Sequence, residues 1–244
     1  MKTKICVILT AYKRTNFLIT QINSLLRQSL RPDHIVIWNN SQTLFALDKF
    51  DIPITIIHST ENLGVWARFT APLLIDSKFY CIFDDDTIPG ERWLENCTIT
   101  FGIERALMGT IGLTFLSNKY YEHRRFGWAN PIETSTSVDI VGHSWFFDRG
   151  MIEAFWSKRA LVDSPFAGED IHFSYAIQAE LGLRTIVPPH PANDLSLWGA
   201  HPEFSQSVGN DSHATSAKAG AYQRFQDALD YYLVRGFKLL HHSS

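Results

Sequence analysis

The stretch Phe79-Tyr80-Cys81-Ile82-Phe83-Asp84-Asp85-Asp86-Thr87 decides the fold of this chain. Its first five residues are apolar, with aromatic and β-branched types prominent, and such a run predicts a buried strand. The three carboxylates that follow repel one another and lose hydration at the edge of a core, so they stay ionised only beside a cation or several donors. A divalent ion such as Mg²⁺ or Mn²⁺ accepts these oxygen ligands and leaves positions for a phosphate group. The alternative, a solvated loop or a helix cap, is disfavoured by the preceding strand and by the turn at Ile88-Pro89-Gly90.

The composition is that of a globular protein with one sizeable α/β domain. Of the 244 residues, 45% are hydrophobic and 19% are charged, which excludes a disordered chain. The formal net charge of -3 argues against nucleic acid or an anionic membrane as a general partner. The three cysteines, Cys6, Cys81 and Cys97, lack metal or redox spacing, so we expect reduced thiols in a reducing compartment.

The first third of the chain predicts a parallel sheet. Apolar runs at Ile5–Thr10 and His34–Trp38 predict strands, and apolar positions at helical spacing between them predict a helix over Phe17–Arg27. Strand, helix and strand in this order form a βαβ unit, and Ile54–Ile57 adds a third strand. Ligands of such sheets bind beyond the C-terminal ends of the strands, where this sequence becomes polar.

The remainder predicts a mixed, mainly parallel sheet flanked by helices, in a single domain over 1–244. The expected elements are a strand at Ile111–Phe115, a loop-rich or hairpin segment over 117–137 and a strand from Val138 to Phe147 with a glycine break. A helix capped by Ala167–Asp170 then runs through Ile171 and Leu181 to a stop at Gly182, followed by an edge strand at Thr185–Pro189 and a mobile loop over 190–216. A last helix over 217–235 buries Tyr222, Phe225, Leu229 and Tyr232.

A second acidic pair, Glu169-Asp170, stands at the start of a predicted helix. The helix dipole favours ionised carboxylates there, although an acidic pair in a first turn is also ordinary without catalysis. Candidate cations for a phosphate are Arg14 and Arg68, because a guanidinium makes bidentate phosphate contacts. His213, in the polar loop, is a candidate for a further metal or diphosphate contact, and Trp145 is a candidate for stacking on a sugar.

Five landmarks in order carry a resemblance to a known family. They are Ala11-Tyr12-Lys13-Arg14-Thr15-Asn16, Val36-Ile37-Trp38-Asn39-Asn40, Asp84-Asp85-Asp86-Thr87, Gly142-His143-Ser144-Trp145-Phe146-Phe147 and Glu169-Asp170-Ile171. Together they resemble nucleotide-sugar glycosyltransferases of the GT-A (Rossmann-like) fold. More narrowly, the chain is similar to the catalytic domain of the exostosin-like α-N-acetylhexosaminyltransferases, with a nucleotide-binding half over 1–90 and an acceptor-binding half over 91–244.

The resemblance implies roles for individual residues. The nucleoside would meet Thr10, Arg14 and Asn40, and Arg68 would reach the diphosphate or the donor sugar. The ribose, the sugar and a Mn²⁺ or Mg²⁺ ion would lie on Asp84, Asp85 and Asp86, with the metal on Asp86 and Asp84. The catalytic residues would be Asp170 and Glu169, and Gly142, His143, Ser144 and Trp145 would border the acceptor. One departure is Gly168, which stands where the family usually has a cysteine.

The implied activity is metal-dependent transfer of an N-acetylhexosamine from a UDP-sugar to a carbohydrate hydroxyl, with retention of configuration. An inverting enzyme with Asp170 as general base is an alternative, and a non-catalytic nucleotide- or carbohydrate-binding relative is another. A sugar-nucleotide pyrophosphorylase is disfavoured because Ala11-Tyr12-Lys13 is not a glycine-rich phosphate loop. The run Ile5–Leu9 is too short for an export signal and no stretch matches a membrane span, so we expect a cytoplasmic protein or an excised soluble catalytic domain.

Overall fold

A computed structural model describes residues 4–12, 15–41, 47, 49–158, 167–203 and 220–243 of the chain. The strands among them are β1 (Ile5–Ala11), β2 (His34–Asn39), β3 (Ile54–His58), β4 (Phe79–Phe83), β5 (Leu107–Met108), β6 (Ile111–Phe115), β7 (His123–Gly127), β8 (Thr136–Val138), β9 (Ile140–Gly142), β10 (Ser144–Asp148) and β11 (Thr185–Val187). The α-helices are α1 (Leu18–Leu26), α2 (Ala71–Leu74), α3 (Trp93–Ile103), α4 (Arg149–Ser157), α5 (Glu169–Leu181) and α6 (Ala221–Val234). Short 3-10 helices occupy Thr15–Phe17, Ala67–Thr70, Leu195–Leu197 and Leu240–Ser243.

The strands form two sheets. The central sheet has eight strands in the order β3-β2-β1-β4-β10-β5-β11-β8, and β7, β6 and β9 form a second, antiparallel sheet. Strands β1 to β4 run parallel, whereas β10 runs antiparallel between β4 and β5. The register places Ser144, the first residue of β10, opposite Phe83, the last residue of β4. The start of β10 therefore lies at the sheet edge where the parallel strands end.

The apolar run of β4 is continuous because helices cover both faces of the sheet. Tyr80 and Ile82 belong to one hydrophobic cluster with residues of α4 and α5, whereas Phe79, Cys81 and Phe83 belong to a second cluster with residues of α1 and α3. Alternate side chains of a strand point to opposite faces, so a strand covered on both sides needs apolar residues at every position. The fold class is therefore as predicted.

The predicted strands and helices near the sheet centre are confirmed, and three details differ. The segment Val138–Phe147 is not one strand with a glycine break. It contains the end of β8, β9 in the second sheet and most of β10, and the chain breaks at His143, where φ is 63°. Asp139 bends the chain between β8 and β9 because its carboxylate accepts hydrogen bonds from the Phe115 and Leu240 amides.

The edge strand and the last helix also differ from the prediction. β11 is not at the edge, because β8 pairs with its outer side. Tyr222 is 64% exposed, since the buried stripe of α6 consists of Ala221, Ala228, Leu229 and Tyr232.

The predicted loop over 190–216 is described only as far as residue 203. This first part is packed against the body of the domain: His190 and Trp198 are buried, and the Trp198 carbonyl accepts a hydrogen bond of 2.9 Å from the Gly90 amide. His213 and the rest of that loop lie outside the described residues, as does Arg14. The three cysteines are free and buried, as expected. None of the described helices is long and apolar enough to cross a membrane.

The acidic turn after β4 is held from two sides. The buried side chain of Gln21 on α1 donates hydrogen bonds to the Asp84 carbonyl at 2.7 Å and to the Thr87 carbonyl at 3.0 Å. From the other side, the Asp84 amide donates to the His143 carbonyl at 3.0 Å, just before β10. One buried amide side chain thus fixes both ends of the turn.

We expect Gln21→Leu to lower the free energy of unfolding by about 1–3 kcal/mol, because the substitution leaves two carbonyls without their donor. Gln223→Leu on the exposed face of α6 is the matched control, since Gln223 is exposed and donates to the exposed Asp227 on the same helix. Urea unfolding measures both variants. Equal stabilities for the two would contradict a structural role for Gln21.

Candidate active site

Arg68 joins the two acidic segments that the sequence singles out. It lies in the 3-10 helix Ala67–Thr70 and is only 5% exposed. One terminal nitrogen contacts the Asp84 carboxylate, and Nη2 lies 3.1 Å from Oε1 of Glu169. The acidic turn and the start of α5 are therefore joined through a single buried cation.

The ring of Trp145 packs against the guanidinium of Arg68. The Arg68 guanidinium carbon lies 4.5 Å from the centroid of the Trp145 ring, a cation–π distance. Trp145 is 2% exposed, so the ring contacts Arg68 from within the core rather than offering a surface to an acceptor. Phe146 and Trp198 are buried as well, so neither ring offers a surface for a sugar.

The start of α5 places Glu169 and Asp170 in a largely buried setting. Gly168, the residue before them, has φ of 87°, and a Cβ atom there would lie 3.0 Å from Cβ of Ala228. Both observations favour glycine at this position over a residue with a side chain. The Asp170 carboxylate accepts a hydrogen bond of 2.8 Å from the Ile171 amide, which orients the carboxylate.

The charges of these groups depend on burial. Burial, together with repulsion from Asp170, raises the pKa of Glu169 to about 8, against the attraction of Arg68. Burial also raises the pKa of Asp170 to about 6, although hydrogen bonds from the backbone oppose the shift. Burial alone would lower the pKa of Arg68, but Asp84 and Glu169 raise it overall, so the guanidinium stays charged. Glu169 and Asp170 thus change protonation closer to neutral pH than exposed carboxylates do.

Thr10 and Asn40 lie at the C-terminal ends of neighbouring parallel strands, as the nucleotide-binding interpretation requires. Thr10 Oγ1 donates to the Phe83 carbonyl at 3.4 Å. The Asn40 side chain accepts from the Leu63 amide at 2.9 Å and donates to Asn62 Oδ1 at 2.7 Å. Asn40 therefore shapes the adjacent loop as well as the strand end.

The acidic turn offers oxygen ligands for a cation. Asp86 is 9% exposed, with Thr87 Oγ1 lying 3.4 Å from its Oδ1, and Asp84 already contacts Arg68. No group of three or more His, Cys, Asp or Glu side chains arranged for a metal occurs among the residues that the structure describes. Carboxylate oxygens are nevertheless the ligand type that a hard divalent ion takes together with phosphate oxygens and water. His213 lies outside the described residues, so its part in this site is still a prediction.

The predicted acceptor segment lies beside the acidic turn. The His143 carbonyl accepts from the Asp84 amide, and a Cβ atom built on Gly142 would have no atom within 4 Å, so the surroundings there are open. Ser144 is buried and bonds to Thr110 Oγ1 at 2.7 Å, which directs its hydroxyl into the core. Of this segment, Gly142 and His143 therefore remain accessible.

The sequence reasoning missed two residues that shape the site. Gln21 interrupts the buried stripe of α1, and a polar residue on an apolar face is a signal that could have been recognised. Trp66 donates its indole N–H to the Ala167 carbonyl at 3.1 Å, beside the start of α5. No local pattern reveals this second contact, because it joins segments far apart in sequence.

We expect stability without metal or nucleotide to fall as the pH rises from about 4.5 to about 8, because the folded chain binds the Glu169 proton more tightly than the unfolded chain does. The contribution of this group is fully present below its ordinary pKa and is lost as the pH rises through its folded pKa. Glu169→Gln should reduce the pH-dependent loss by on the order of 3 kcal/mol. Urea unfolding at several pH values measures the effect, with exposed Glu133→Gln as control. Identical pH profiles for the two variants would contradict the assignment.

Solved structures with a similar fold include two of TarS and one of a mannosyltransferase. The crystal structure of S. aureus TarS 1-349 has a TM-score of 0.57 at 13% identity, covering 96% of this chain and 74% of that chain. Its complex with UDP has a TM-score of 0.58 at 15% identity, covering 98% and 73%. The mannosyltransferase PcManGT from Pyrobaculum calidifontis, in complex with GDP-Man and Mn²⁺, has a TM-score of 0.51 at 15% identity, covering 95% and 70%.

These likenesses show the GT-A-like fold. No curated protein matches the sequence significantly. The family model described as glycosyl transferase family 2 matches residues 6–156, which is more than half of the chain and includes Arg68 and the acidic turn. The chain therefore belongs to glycosyl transferase family 2.

Proposed function

We propose that this chain transfers a sugar from a UDP-sugar to a hydroxyl of a carbohydrate acceptor, with a divalent ion at the acidic turn. The observation that carries the proposal is the buried bridge from Asp84 through Arg68 to Glu169, beside Asp170. It joins a candidate diphosphate site to a candidate base within a chain of this family. The complexes of TarS with UDP and of PcManGT with GDP-Man and Mn²⁺ support a nucleotide-sugar donor.

The donor would lie across the ends of β1, β2 and β4. Thr10, Arg14 and Asn40 would meet the nucleoside, and Asp85 would contact the ribose or the sugar. A Mn²⁺ or Mg²⁺ ion on Asp86 and Asp84, with His213 as a further ligand, would neutralise charge on the departing diphosphate. Residues 1–90 would then form the nucleotide-binding half and residues 91–244 the acceptor-binding half.

Asp170 is suited to act as a general base. Its carboxylate is oriented by the Ile171 amide, and burial raises its pKa to about 6, close to the pH at which a base works best. In this reaction an Asp170 oxygen accepts the proton of the acceptor hydroxyl, and the acceptor oxygen bonds to the anomeric carbon. The bond from that carbon to the phosphate oxygen breaks, and UDP leaves. Glu169 would act through Arg68, as a positioning residue.

This mechanism inverts the anomeric configuration, whereas the exostosin-like resemblance implies retention and an N-acetylhexosamine. In a retaining reaction Asp170 would instead stabilise the positive charge that develops on the sugar. A screen of UDP-sugars, with UDP-N-acetylhexosamines included, identifies the donor. The coupling constant of the anomeric proton in the product then distinguishes inversion from retention. Metal-dependent UDP binding without turnover of any donor or acceptor would favour a non-catalytic relative.

We expect Asp86→Ala to weaken UDP binding in Mn²⁺ at least about tenfold, because the variant removes a charged ligand of the ion. Binding of UDP in EDTA should change little, and this difference identifies a metal effect. Asp51→Ala is the matched control, since the Asp51 side chain is 98% exposed and distant in sequence from the turn. Calorimetric titration with UDP provides the measurement. Unchanged affinity in Mn²⁺ would reject Asp86 as a metal ligand.

We expect Asp170→Asn to reduce turnover about 10²–10⁴-fold, since an amide cannot accept the proton of the acceptor hydroxyl. UDP affinity in Mn²⁺ should stay within about twofold, because the lost carboxylate does not contact the nucleotide in this proposal. Initial rates and UDP titrations on the same preparation separate the two effects. Full turnover, or loss of UDP binding together with folding, would show that Asp170 has a structural role instead.

A further inference from the structure

Trp128 and His143 share an unusual backbone conformation. They are the non-glycine residues with positive φ among those that the structure describes, with values of 49° and 63°. A side chain with a Cβ atom is disfavoured in this region, and bulky residues adopt it rarely. Such positions persist where surrounding contacts hold them, and they cluster at binding sites.

The two residues are also neighbours in space. Their ring centroids lie 6.0 Å apart, with the ring planes inclined by 36°. Two uncommon backbone conformations thus bring two rings together from separate segments of the chain.

The His143 segment is anchored to the acidic turn, and the Trp128 segment is held by a turn of its own beside Thr110. The His143 carbonyl accepts from the Asp84 amide at 3.0 Å, so this backbone is fixed to the first aspartate. Trp128 follows β7, where Gly127 has φ of 72° and a Cβ atom would lie 2.3 Å from the Thr110 carbonyl oxygen. A hydrogen bond of 2.9 Å from the Asn130 amide to the Gly127 carbonyl closes the turn that presents Trp128.

Each of the two side chains has a ring nitrogen that makes no hydrogen bond within the described part of the chain. Both residues are half-buried, yet Nδ1 of His143 and Nε1 of Trp128 are buried without a hydrogen-bond partner in the described part of the chain. Buried polar atoms of a stable protein normally find partners. An indole presents an apolar face and one donor, and an imidazole presents a donor and an acceptor. A pyranose has the complementary features, an apolar C–H face and a rim of hydroxyls.

We propose that Trp128 and His143 form a pyranose-binding subsite beside the acidic turn. The apolar face of the sugar packs on the indole of Trp128, and a sugar hydroxyl bonds to the imidazole of His143. This subsite rests on the proposed function, since the nucleotide at the acidic turn delivers or faces the sugar. The pyranose belongs to the donor or to the acceptor, and the two arms of the experiment distinguish these sources. The sequence predicts only that His143 borders the acceptor, and it does not identify Trp128.

The test uses substitutions that keep the left-handed backbone. Glycine and asparagine tolerate positive φ, so Trp128→Gly, His143→Gly and His143→Asn remove or shorten a ring without forcing a new backbone conformation. Trp128→Phe keeps an aromatic face. Asn130→Ala, in the same turn and exposed, is the matched control.

The donor arm compares the affinities of UDP and of UDP-glucose, UDP-galactose and their N-acetylated forms in Mg²⁺. The acceptor arm titrates methyl glucosides and galactosides into the full chain saturated with UDP and Mg²⁺. In the unsubstituted chain, the Trp128 indole N–H resonance is followed in both arms. This last measurement does not depend on whether any variant folds.

We expect the substitutions to change sugar affinity in either the donor arm or the acceptor arm. In that arm the sugar-dependent part of the affinity falls about tenfold in Trp128→Gly and His143→Gly, and Trp128→Phe and His143→Asn retain most of it. UDP affinity stays unchanged in all variants, and the indole resonance shifts with the sugar but not with UDP alone. A response in the first arm assigns the subsite to the donor sugar, and a response in the second assigns it to the acceptor.

Two results would overturn the subsite. If every variant binds UDP and all sugars like the unsubstituted chain, or if the indole resonance ignores the sugars, the subsite is wrong while the proposed function stands. If the unsubstituted chain does not bind UDP, both the subsite and the proposed function fail.

Discussion

The buried charge of Arg68 is the constraint on which the candidate site depends. A guanidinium that is 5% exposed needs anionic partners, because an unpaired charge in a low-dielectric interior is unstable. The Asp84 carboxylate meets this need, Glu169 Oε1 accepts a hydrogen bond from the guanidinium at the opposite end of the site, and the Trp145 ring covers a further face of the cation. The same contacts hold the acidic turn and the first turn of α5 in one arrangement. Arg68 therefore both stabilises the packing of these two segments and arranges the carboxylates of the candidate site.

The charge balance around Arg68 also explains the carboxylates of α5. One cation faces Asp84, Asp85, Glu169 and Asp170, so the neighbourhood carries excess negative charge. Burial increases the free energy of each ionised group, and the pKa values of Glu169 and Asp170 rise as a result. A cation bound at the acidic turn would reduce this excess. Cation binding at the acidic turn and protonation of Glu169 and Asp170 would then be linked, because each reduces the negative charge around the same carboxylates.

Much of the fold could be predicted from local sequence. The runs at Ile5–Leu9 and Phe79–Phe83 are apolar at every position, and this pattern is typical of a strand covered on both faces. The acidic turn and the Glu169-Asp170 pair were visible because carboxylates at element boundaries contrast with the core. The contact of Trp66 with Ala167 and the pairing of β8 outside β11 were not visible, since pairings between distant segments leave no local period. The sequence does not indicate the positive φ of His143 either, because a left-handed backbone conformation is usually marked by glycine rather than by histidine.

The position of β10 has a consequence for how such a domain can diversify. β5 and β10 are neighbours in the central sheet, yet the chain between them makes the second sheet and carries Trp128 before it returns. The segment from residue 109 to 143 contributes β8 to the far end of the central sheet, where β8 pairs with β11, and its strands pair with none of β1 to β4. Changes within this excursion can alter the proposed sugar subsite while β1 to β4, at the proposed nucleotide site, keep their parallel pairing. An architecture of this kind lets one half vary under selection while the other half stays constant.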